Sequence, residues 1–247
     1  VMQAVNATGA KLVLDAAVAR RLDPIIHTSS VAALFPAPGN VMRAAGPLGT
    51  VDSVYGRSKK AAEMTARGLQ DEGHPVVIVY PGGVYGPLDP GVSDMMDAAK
   101  VLLEKRAFPL PKGGGNAVID VRDLALGIAN AVTPGLGPRR YMAGGTFVTW
   151  DRWISSFENV TGVEIRRINM PARALVGFGR VLDGLARVLP SFEPPLGREG
   201  AQFMSYMVPT DDASFLAETG LGQYRDVDSS VRDFVEWLVD TDFIERP

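Results

Sequence analysis

Two patterns of apolar and polar residues alternate through the first half of the chain. Apolar residues recur at helical spacing in four segments, at residues 2–21, 53–72, 92–105 and 121–132. Short apolar runs stand between these helices, at residues 24–30, 76–80, 117–120 and 141–143. The run at 76–80 is apolar throughout, which is typical of a strand buried on both faces of a parallel sheet. Strands that alternate with helices in this way predict a doubly wound α/β sheet.

The regular alternation of predicted strands and helices ends at residue 143. Thr149 is predicted to cap a helix that ends near residue 161, and a strand is predicted over residues 164–169. Pro171 stands where a first-turn proline opens a long helix. A loop over residues 190–200 and two or three further helices complete the chain. We therefore predict two domains, residues 1–143 and a smaller, mainly helical region at residues 144–247.

Composition excludes several classes of protein. The 247 residues carry a net charge of −3 and contain no cysteine and only two histidines, His27 and His74. Disulfides, thiolate metal sites and a cysteine nucleophile are thereby excluded, and we predict neither a metal site nor nucleic-acid binding. Residues 172–189 form the longest apolar stretch, but arginines and an aspartate interrupt it, so no membrane span of about 18 residues is predicted. No signal peptide opens the sequence, and a cytoplasmic protein is expected.

Tyr55 and Lys59 lie four residues apart at the start of the helix predicted over residues 53–72. This spacing places both side chains on one helical face, within reach of one ligand. A free tyrosine has a pKa of about 10, and a neighbouring ammonium favours the phenolate and lowers that pKa. The pair can therefore act as an acid and base on a carbonyl or an alcohol. The alternative is an aromatic residue and a charge on an ordinary surface helix.

Ser30 ends the first predicted strand. Ligands of doubly wound sheets bind at the carboxyl ends of the strands, and the next strand-to-helix step brings Tyr55 to the same edge. A serine hydroxyl there can donate to a substrate oxygen while the tyrosine moves the proton. The alternative is a polar strand end that caps the following loop. His27, in the same strand, is interpreted as a core residue.

Five segments carry a shared family pattern in one order and at one spacing. They are the helix at residues 5–17, the serine-bearing strand at 26–30, the helix at 55–63, the turn at 80–87 and the helix start at 120–125. Together they resemble the extended short-chain dehydrogenase/reductases, also called the NAD-dependent epimerase/dehydratase family. Tyr80 stands where that family usually carries an arginine.

The resemblance implies the roles of the candidate site residues. Tyr55 would be the general acid and base, Lys59 would lower its pKa, and Ser30 would hydrogen-bond the reacting oxygen. The same tyrosine and lysine would contact the cofactor, with the lysine holding the nicotinamide ribose. The expected cofactor is NAD or NADP.

The resemblance extends the expected cofactor site to one backbone segment. Pro81, Gly82, Gly83 and Val84 follow the predicted strand at residues 76–80. In the family this backbone lies against the nicotinamide, so these four residues are candidate cofactor-binding residues.

The family also implies a homodimer. Its subunits pair through the helices that correspond to residues 2–21 and 53–72. Small residues on the second helix would permit close approach, namely Ala61, Ala62, Ala66 and Gly68.

One part of the family pattern is absent from this sequence. Members begin with a strand and a Gly-x-x-Gly-x-x-Gly turn, whose helix binds the pyrophosphate. The glycines at 113–115 follow no suitable strand. By analogy four strands are absent, so we expect an incomplete Rossmann-type sheet of which residues 1–143 are the C-terminal half. Because the catalytic residues are intact, truncation is favoured over loss of function, and the 247 residues alone are expected to be inactive.

The substrate class is predicted from Asn116 and the apolar C-terminal region. Asn116 aligns with the arginine that clamps the diphosphate in sugar-nucleotide members, and an amide does not replace a guanidinium fork. Apolar residues that are either core or substrate wall, with core favoured, are Phe178, Val181, Leu182, Leu185, Val188, Leu189, Phe192, Phe203, Met204, Tyr206 and Met207. The whole is nearest the dihydroflavonol-reductase and hydroxysteroid-dehydrogenase branch.

We therefore predict an NAD(P)-dependent oxidoreductase acting on an apolar small molecule. The alternatives are a nucleotide-sugar epimerase or dehydratase and a non-catalytic binding protein built from a degenerate reductase.

Overall fold

The chain folds into two compact units. The computed structural model describes residues 4–50, 54–189, 192 and 196–246. The first unit combines Val1–Gly82, Arg122–Gly145 and Val208–Tyr224, and the second combines Gly83–Val121, Thr146–Met207 and Arg225–Pro247. The boundary predicted after residue 143 falls near the crossing after Gly145. The chain also passes from one unit to the other after Gly82, Val121, Met207 and Tyr224, and the sequence prediction did not include these boundaries.

The described part of the chain contains eight strands and nine α-helices. The strands are β1 (Ile25–Thr28), β2 (Val76–Pro81), β3 (Gly83–Tyr85), β4 (Ala107–Pro111), β5 (Gly115–Asp120), β6 (Arg139–Ala143), β7 (Thr146–Thr149) and β8 (Arg166–Met170). The helices are α1 (Ala10–Ala19), α2 (Val54–Asp71), α3 (Asp94–Lys105), α4 (Val121–Asn130), α5 (Trp150–Thr161), α6 (Ala172–Val188), α7 (Arg198–Tyr206), α8 (Ala213–Glu218) and α9 (Val227–Asp240). A π-helical segment, Ala4–Gly9, precedes α1, and a 3-10 turn, Val31–Leu34, follows β1.

The first unit contains a parallel three-stranded sheet in the order β1-β2-β6. All six residues of β2 are buried, as its continuous apolar pattern predicts. Gln70 of α2 ties the helix to this sheet, since its amide donates to the carbonyl of Val76 at 2.7 Å and to that of Arg139 at 3.0 Å. The predicted α/β architecture with a parallel sheet is confirmed.

The second unit contains two small sheets and a separate core. One sheet has the order β3-β5-β7, with β5 and β7 antiparallel, and the other pairs β4 with β8 in parallel. Helix α5 begins at Thr149, whose side chain accepts from the backbone N–H of Arg152, and ends at Gly162 with φ of +70°. Tyr85 packs edge-on against Trp153, with ring centroids 5.0 Å apart, inside this core.

Hydrophobic patterning missed β3, β4 and β7. The first has only three residues, the second contains two prolines, and the third is half exposed. Strand β5 begins two residues before the strand predicted at residues 117–120, because Gly115 and Asn116 pair with Thr149 and Val148. The loop predicted over residues 190–200 lies largely outside the described residues, and α7 begins within it at Arg198.

Helix α6 differs from its predicted role. Leu182 is buried, but Phe178, Val181, Leu185 and Val188 are between 42% and 71% exposed, so they are neither core nor cavity wall. Its N-cap is Pro171, one residue before the helix proper. None of the described helices combines the length and the apolar character that crossing a bilayer requires.

Candidate active site

One ridge of α2 carries a series of polar side chains, each four residues from the next. Tyr55 is 38% exposed, Lys59 is half buried, and Glu63 is fully buried. The ridge therefore descends from the surface into the core as the helix advances. The first turn is fixed from both sides, since the Ser58 hydroxyl donates to the Tyr55 carbonyl at 2.8 Å and accepts from the Asn6 amide at 3.0 Å.

Tyr55 and Lys59 lie close together, as their spacing predicts. The Lys59 ammonium nitrogen is 5.8 Å from the centroid of the Tyr55 ring, within cation–π range. Burial lowers the pKa of Lys59. This ammonium has no hydrogen bond or ion pair with any residue that the structure describes. No described residue therefore competes with a ligand for its three protons.

Ser30 lies beside the same helix. It is the N-cap of the 3-10 turn, with extended backbone, and its hydroxyl oxygen accepts from the backbone N–H of Ala32 at 3.1 Å. The turn that it caps packs against α2. Ser30 therefore has the capping role that the sequence offered as the alternative to a role in catalysis. Capping uses only a lone pair of its oxygen. The hydroxyl proton is left for another acceptor.

The carboxyl ends of the parallel strands define the edge at which these groups lie. Thr28 pairs with Val79 in register, so Ser30 and Pro81 each stand two residues beyond that pair. Pro81 ends β2, and the N–H of Gly82 donates to the carbonyl of Ala143 at 3.3 Å. The first half of the predicted cofactor-binding segment therefore lies at the sheet edge of the first unit.

Gly83 and Val84 belong to the second unit. The sequence predicts that the strand stops here, whereas the structure starts β3 at Gly83 and pairs these residues with Val118 and Ile119. An added Cβ at Gly83 would stand 2.9 Å from the Asn116 amide nitrogen, so close packing accounts for the glycine.

Sequence reasoning missed a buried network at the far end of the α2 ridge. The guanidinium of Arg67 donates to the Glu63 carboxylate at 2.7 Å and to the Tyr80 hydroxyl at 3.1 Å. The Tyr80 hydroxyl donates in turn to the same Glu63 oxygen. Burial, and then the Glu63 charge, raise the pKa of Tyr80. The i, i+4 spacing of Glu63 and Arg67 was the signal that could have revealed this network.

His27 is only half-buried on β1, whereas the sequence was interpreted as placing it in the core. Burial lowers the pKa of its imidazole, with smaller effects from the charges of Glu63 and Lys59. Its Nε2 is buried and has no hydrogen-bond partner among the described residues. A neutral imidazole is therefore favoured in the folded protein.

The second unit contains a cavity of about 540 Å³. Five aromatic residues contribute to its wall, namely Phe108, Trp150, Trp153, Phe157 and Phe203. Asn116 also lines it, and its amide has no hydrogen bond with any described residue. Such a volume, with apolar walls and few polar groups, is typical of small-molecule sites. Phe203 and Met204, predicted as core or substrate wall, both line it.

A parallel α/β sheet with polar side chains at the carboxyl edge of its strands is the architecture in which doubly wound proteins bind their ligands. The family model for the NAD dependent epimerase/dehydratase family matches residues 1–144, which is more than half of the sequence. The chain therefore belongs to this family of NAD-dependent enzymes.

Individual relatives are distant but similar over nearly the whole chain. A dihydroflavonol 4-reductase-like protein of Synechocystis sp. is 24% identical over 253 residues, covering 97% of this chain and 71% of its own. The crystal structure of gox2253 superposes with a TM-score of 0.77 at 23% identity, covering 99% of this chain and 74% of the other. DesIV, a dTDP-glucose 4,6-dehydratase from Streptomyces venezuelae with NAD and TYD bound, has a TM-score of 0.70 at 18% identity, covering 98% and 68%. These structures establish the fold.

The residues at the sheet edge fit the cofactor of the family. A ribose needs hydrogen-bond donors, and the half-buried Lys59 ammonium offers donors that no described side chain uses. Backbone at a sheet edge fits a flat ring, and Pro81 and Gly82 supply it. When bound, NAD supplies hydride transfer.

Proposed function

We propose that this protein is an NAD(P)-dependent reductase or alcohol dehydrogenase that acts on a carbonyl or hydroxyl group of an apolar small molecule. The observation that carries the proposal is the Lys59 ammonium, which lies 5.8 Å from the Tyr55 ring and has no described partner. A structural lysine on a helix surface would extend into solvent or pair with a carboxylate. This one is half buried and has no partner among the described residues, as expected for a ligand-binding group.

The three side chains divide the work on the reacting oxygen. The Tyr55 hydroxyl donates its proton to the oxygen in reduction and takes it back in oxidation. Lys59 favours the phenolate electrostatically and holds a ribose hydroxyl through its free N–H groups. Ser30 donates a hydrogen bond to the same oxygen and so orients it. The backbone N–H of Ala32 donates to the serine oxygen and holds it in place.

We propose that the segment from Pro81 through Gly82 and Gly83 to Val84 lies against the nicotinamide. We also assign residues 1–143 mainly to catalysis and cofactor binding and residues 144–247 mainly to the substrate. The choice between NAD and NADP is open.

The cavity of the second unit supports the apolar substrate. Its walls are mainly apolar, and Asn116 offers one neutral amide without a described partner. A diphosphate carries two negative charges and is bound best by a guanidinium fork, whereas an amide suits one carbonyl or hydroxyl group. The side chain of Trp150 is held in this wall, since its indole N–H donates to the Met204 carbonyl at 2.6 Å.

We further propose a homodimer through α1 and α2. Ala62 and Ala66, predicted at the contact, are buried in the core of the subunit itself. The support comes instead from Leu12, Val13 and Met64, which are 66%, 69% and 58% exposed on these helices. Sedimentation velocity of the full-length protein at micromolar concentration measures this assembly.

The substrate class is tested by a comparison of substrates. The full-length protein is incubated with NADH or NADPH and a panel of aromatic ketones, aldehydes and sterols, and in parallel with NAD⁺ and UDP-glucose or dTDP-glucose. We expect reduction of apolar carbonyls and no turnover of nucleotide sugars. Asn116→Leu should raise KM for substrates that carry a polar group opposite the amide and leave kcat nearly unchanged. Turnover of nucleotide sugars alone would establish the epimerase or dehydratase alternative.

A further inference from the structure

Helix α6 presents an apolar stripe to solvent. Phe178, Val181, Leu185 and Val188 are 56%, 60%, 42% and 71% exposed. Their spacing of three, four and three residues places them on one side of the helix. The opposite side is already used, because Leu175, Val176 and Leu182 are buried against the rest of the second unit. The stripe is therefore a second apolar face rather than a displaced core face.

A row of arginines borders the stripe. Arg173, Arg180 and Arg187 stand seven residues apart, so they line up along the same helix, and all three are exposed. None makes an ion pair or hydrogen bond with a residue in the described part of the chain. The one acid of the helix, Asp183, faces elsewhere and accepts from the backbone N–H of Arg198 at 3.0 Å. The helix thus carries two net positive charges in a chain whose net charge is −3.

We propose that the outer face of α6 docks on an anionic phospholipid bilayer. A helix with an apolar stripe and an arginine border lies in the plane of the membrane interface, with its apolar side chains about 5–10 Å deep among the acyl chains. Arg173, Arg180 and Arg187 then meet the headgroup phosphates, which supply the anionic partners that these arginines lack among the residues the structure describes.

Charge favours a lipid surface over a second copy of the chain. A two-fold, antiparallel pairing of two such stripes leaves each arginine row on the same side of the contact, so six unpaired guanidinium groups come together. Like charges that are brought together repel one another, whereas the phosphates of an anionic membrane neutralise all of these arginines. The lipid surface is therefore the occupant whose charge complements this face.

Vesicle co-sedimentation tests this proposal without reference to catalysis. The purified full chain is mixed with phosphatidylcholine vesicles, with or without about 30% phosphatidylglycerol. We expect pelleting with the anionic vesicles only, and release at high salt because screening weakens the arginine contacts. Each Arg→Gln change at Arg173, Arg180 or Arg187 should weaken partitioning about fivefold.

The apolar stripe is tested with a matched control. The stripe variant, Val181→Asp, should weaken partitioning at least about tenfold. Val101→Asp on α3 introduces the same charge at a side chain that is also half exposed, at 52%, and should partition like the wild type. Thermal unfolding checks that each variant folds.

Three results would overturn the proposal. One is the absence of pelleting with anionic vesicles, and another is equal loss of binding in Val101→Asp and the stripe variant. The third is a lipid-independent dimer that the stripe variant abolishes, which would assign the face to a second copy of the chain.

Discussion

Replacing Arg67 by methionine isolates the contribution of the buried network between α2 and β2. The Arg67 guanidinium lies 2.7 Å from the Glu63 carboxylate. The Glu63 side chain has no exposed surface, and Arg67 retains 16%. Methionine keeps an unbranched stem of similar length but removes the guanidinium. The variant therefore leaves a carboxylate in the core with one remaining donor, the Tyr80 hydroxyl.

The magnitude follows from burial. Removing one partner of a buried ion pair costs about 3–5 kcal/mol, because the other charge stays desolvated and uncompensated. The chain offers a matched control in Lys11 and Asp15, which have the same i, i+4 spacing and a distance of 2.6 Å but are 59% and 46% exposed. An exposed helix pair of this kind contributes about 0.3–0.5 kcal/mol. Distance and spacing are nearly equal in the two pairs, so burial decides the difference.

Urea unfolding at neutral pH measures both variants. The free energy of unfolding should fall by about 3–5 kcal/mol in Arg67→Met and by no more than about 0.5 kcal/mol in Lys11→Met. If the two variants lost similar amounts, the reasoning from burial would be refuted.

Two further predictions concern the first unit. Burial lowers the pKa of His27, so the contribution of this residue to stability is complete above about pH 6.5 and is lost as the pH falls further, with a limiting slope of about 1.4 kcal/mol per pH unit. His27→Gln should therefore reduce the change in the free energy of unfolding, measured in urea, between pH 7 and pH 5. An unchanged pH dependence would count against this. Gly127→Ala places a Cβ 2.2 Å from the Phe215 ring and should cost about 1–3 kcal/mol. Gly68→Ala, in α2 with nothing within 4 Å, should instead stabilise by about 0.5–1 kcal/mol, and thermal unfolding that gave the same sign for both would contradict the packing argument.

Local pattern was sufficient where one element decides its own structure. The continuous apolar run of β2 predicts a buried parallel strand, and the i, i+4 spacing predicts that Tyr55 and Lys59 lie together. Both features depend on residues within one or two turns of each other. The capping role of Ser30 was likewise one of two readings open from its position after β1.

Pattern failed where the partner is distant in sequence. Strand β3 has only three residues and exists because it pairs with β5, more than thirty residues later. Helix α6 has apolar residues on two faces, and periodicity does not say which face meets solvent; Leu175 is buried while Val181 is exposed. The spacing of apolar residues shows which of them share a face of a helix, but it does not show what that face packs against.

The buried network shows how one unusual residue is accommodated. The Tyr80 hydroxyl of β2 and the Arg67 guanidinium, one turn beyond Glu63 on α2, both donate to the Glu63 carboxylate. Tyr80 was visible in the sequence as a departure from the pattern of the family that it resembles, but its partners required the structure, because the strand and the helix meet only in the fold.

The most direct test of the central claim is the turnover of Tyr55→Phe in the full-length protein, with any carbonyl substrate that the wild type reduces. Phenylalanine keeps the ring beside Lys59 and removes the proton, so kcat should fall by about 10² or more while thermal unfolding stays unchanged. Tyr206→Phe is the matched control and should keep the wild-type rate, because this tyrosine of α7 is 45% exposed and is not among the residues that line the cavity of the second unit. A Tyr55→Phe enzyme that retained most of its turnover would contradict the assignment of Tyr55 as the proton donor.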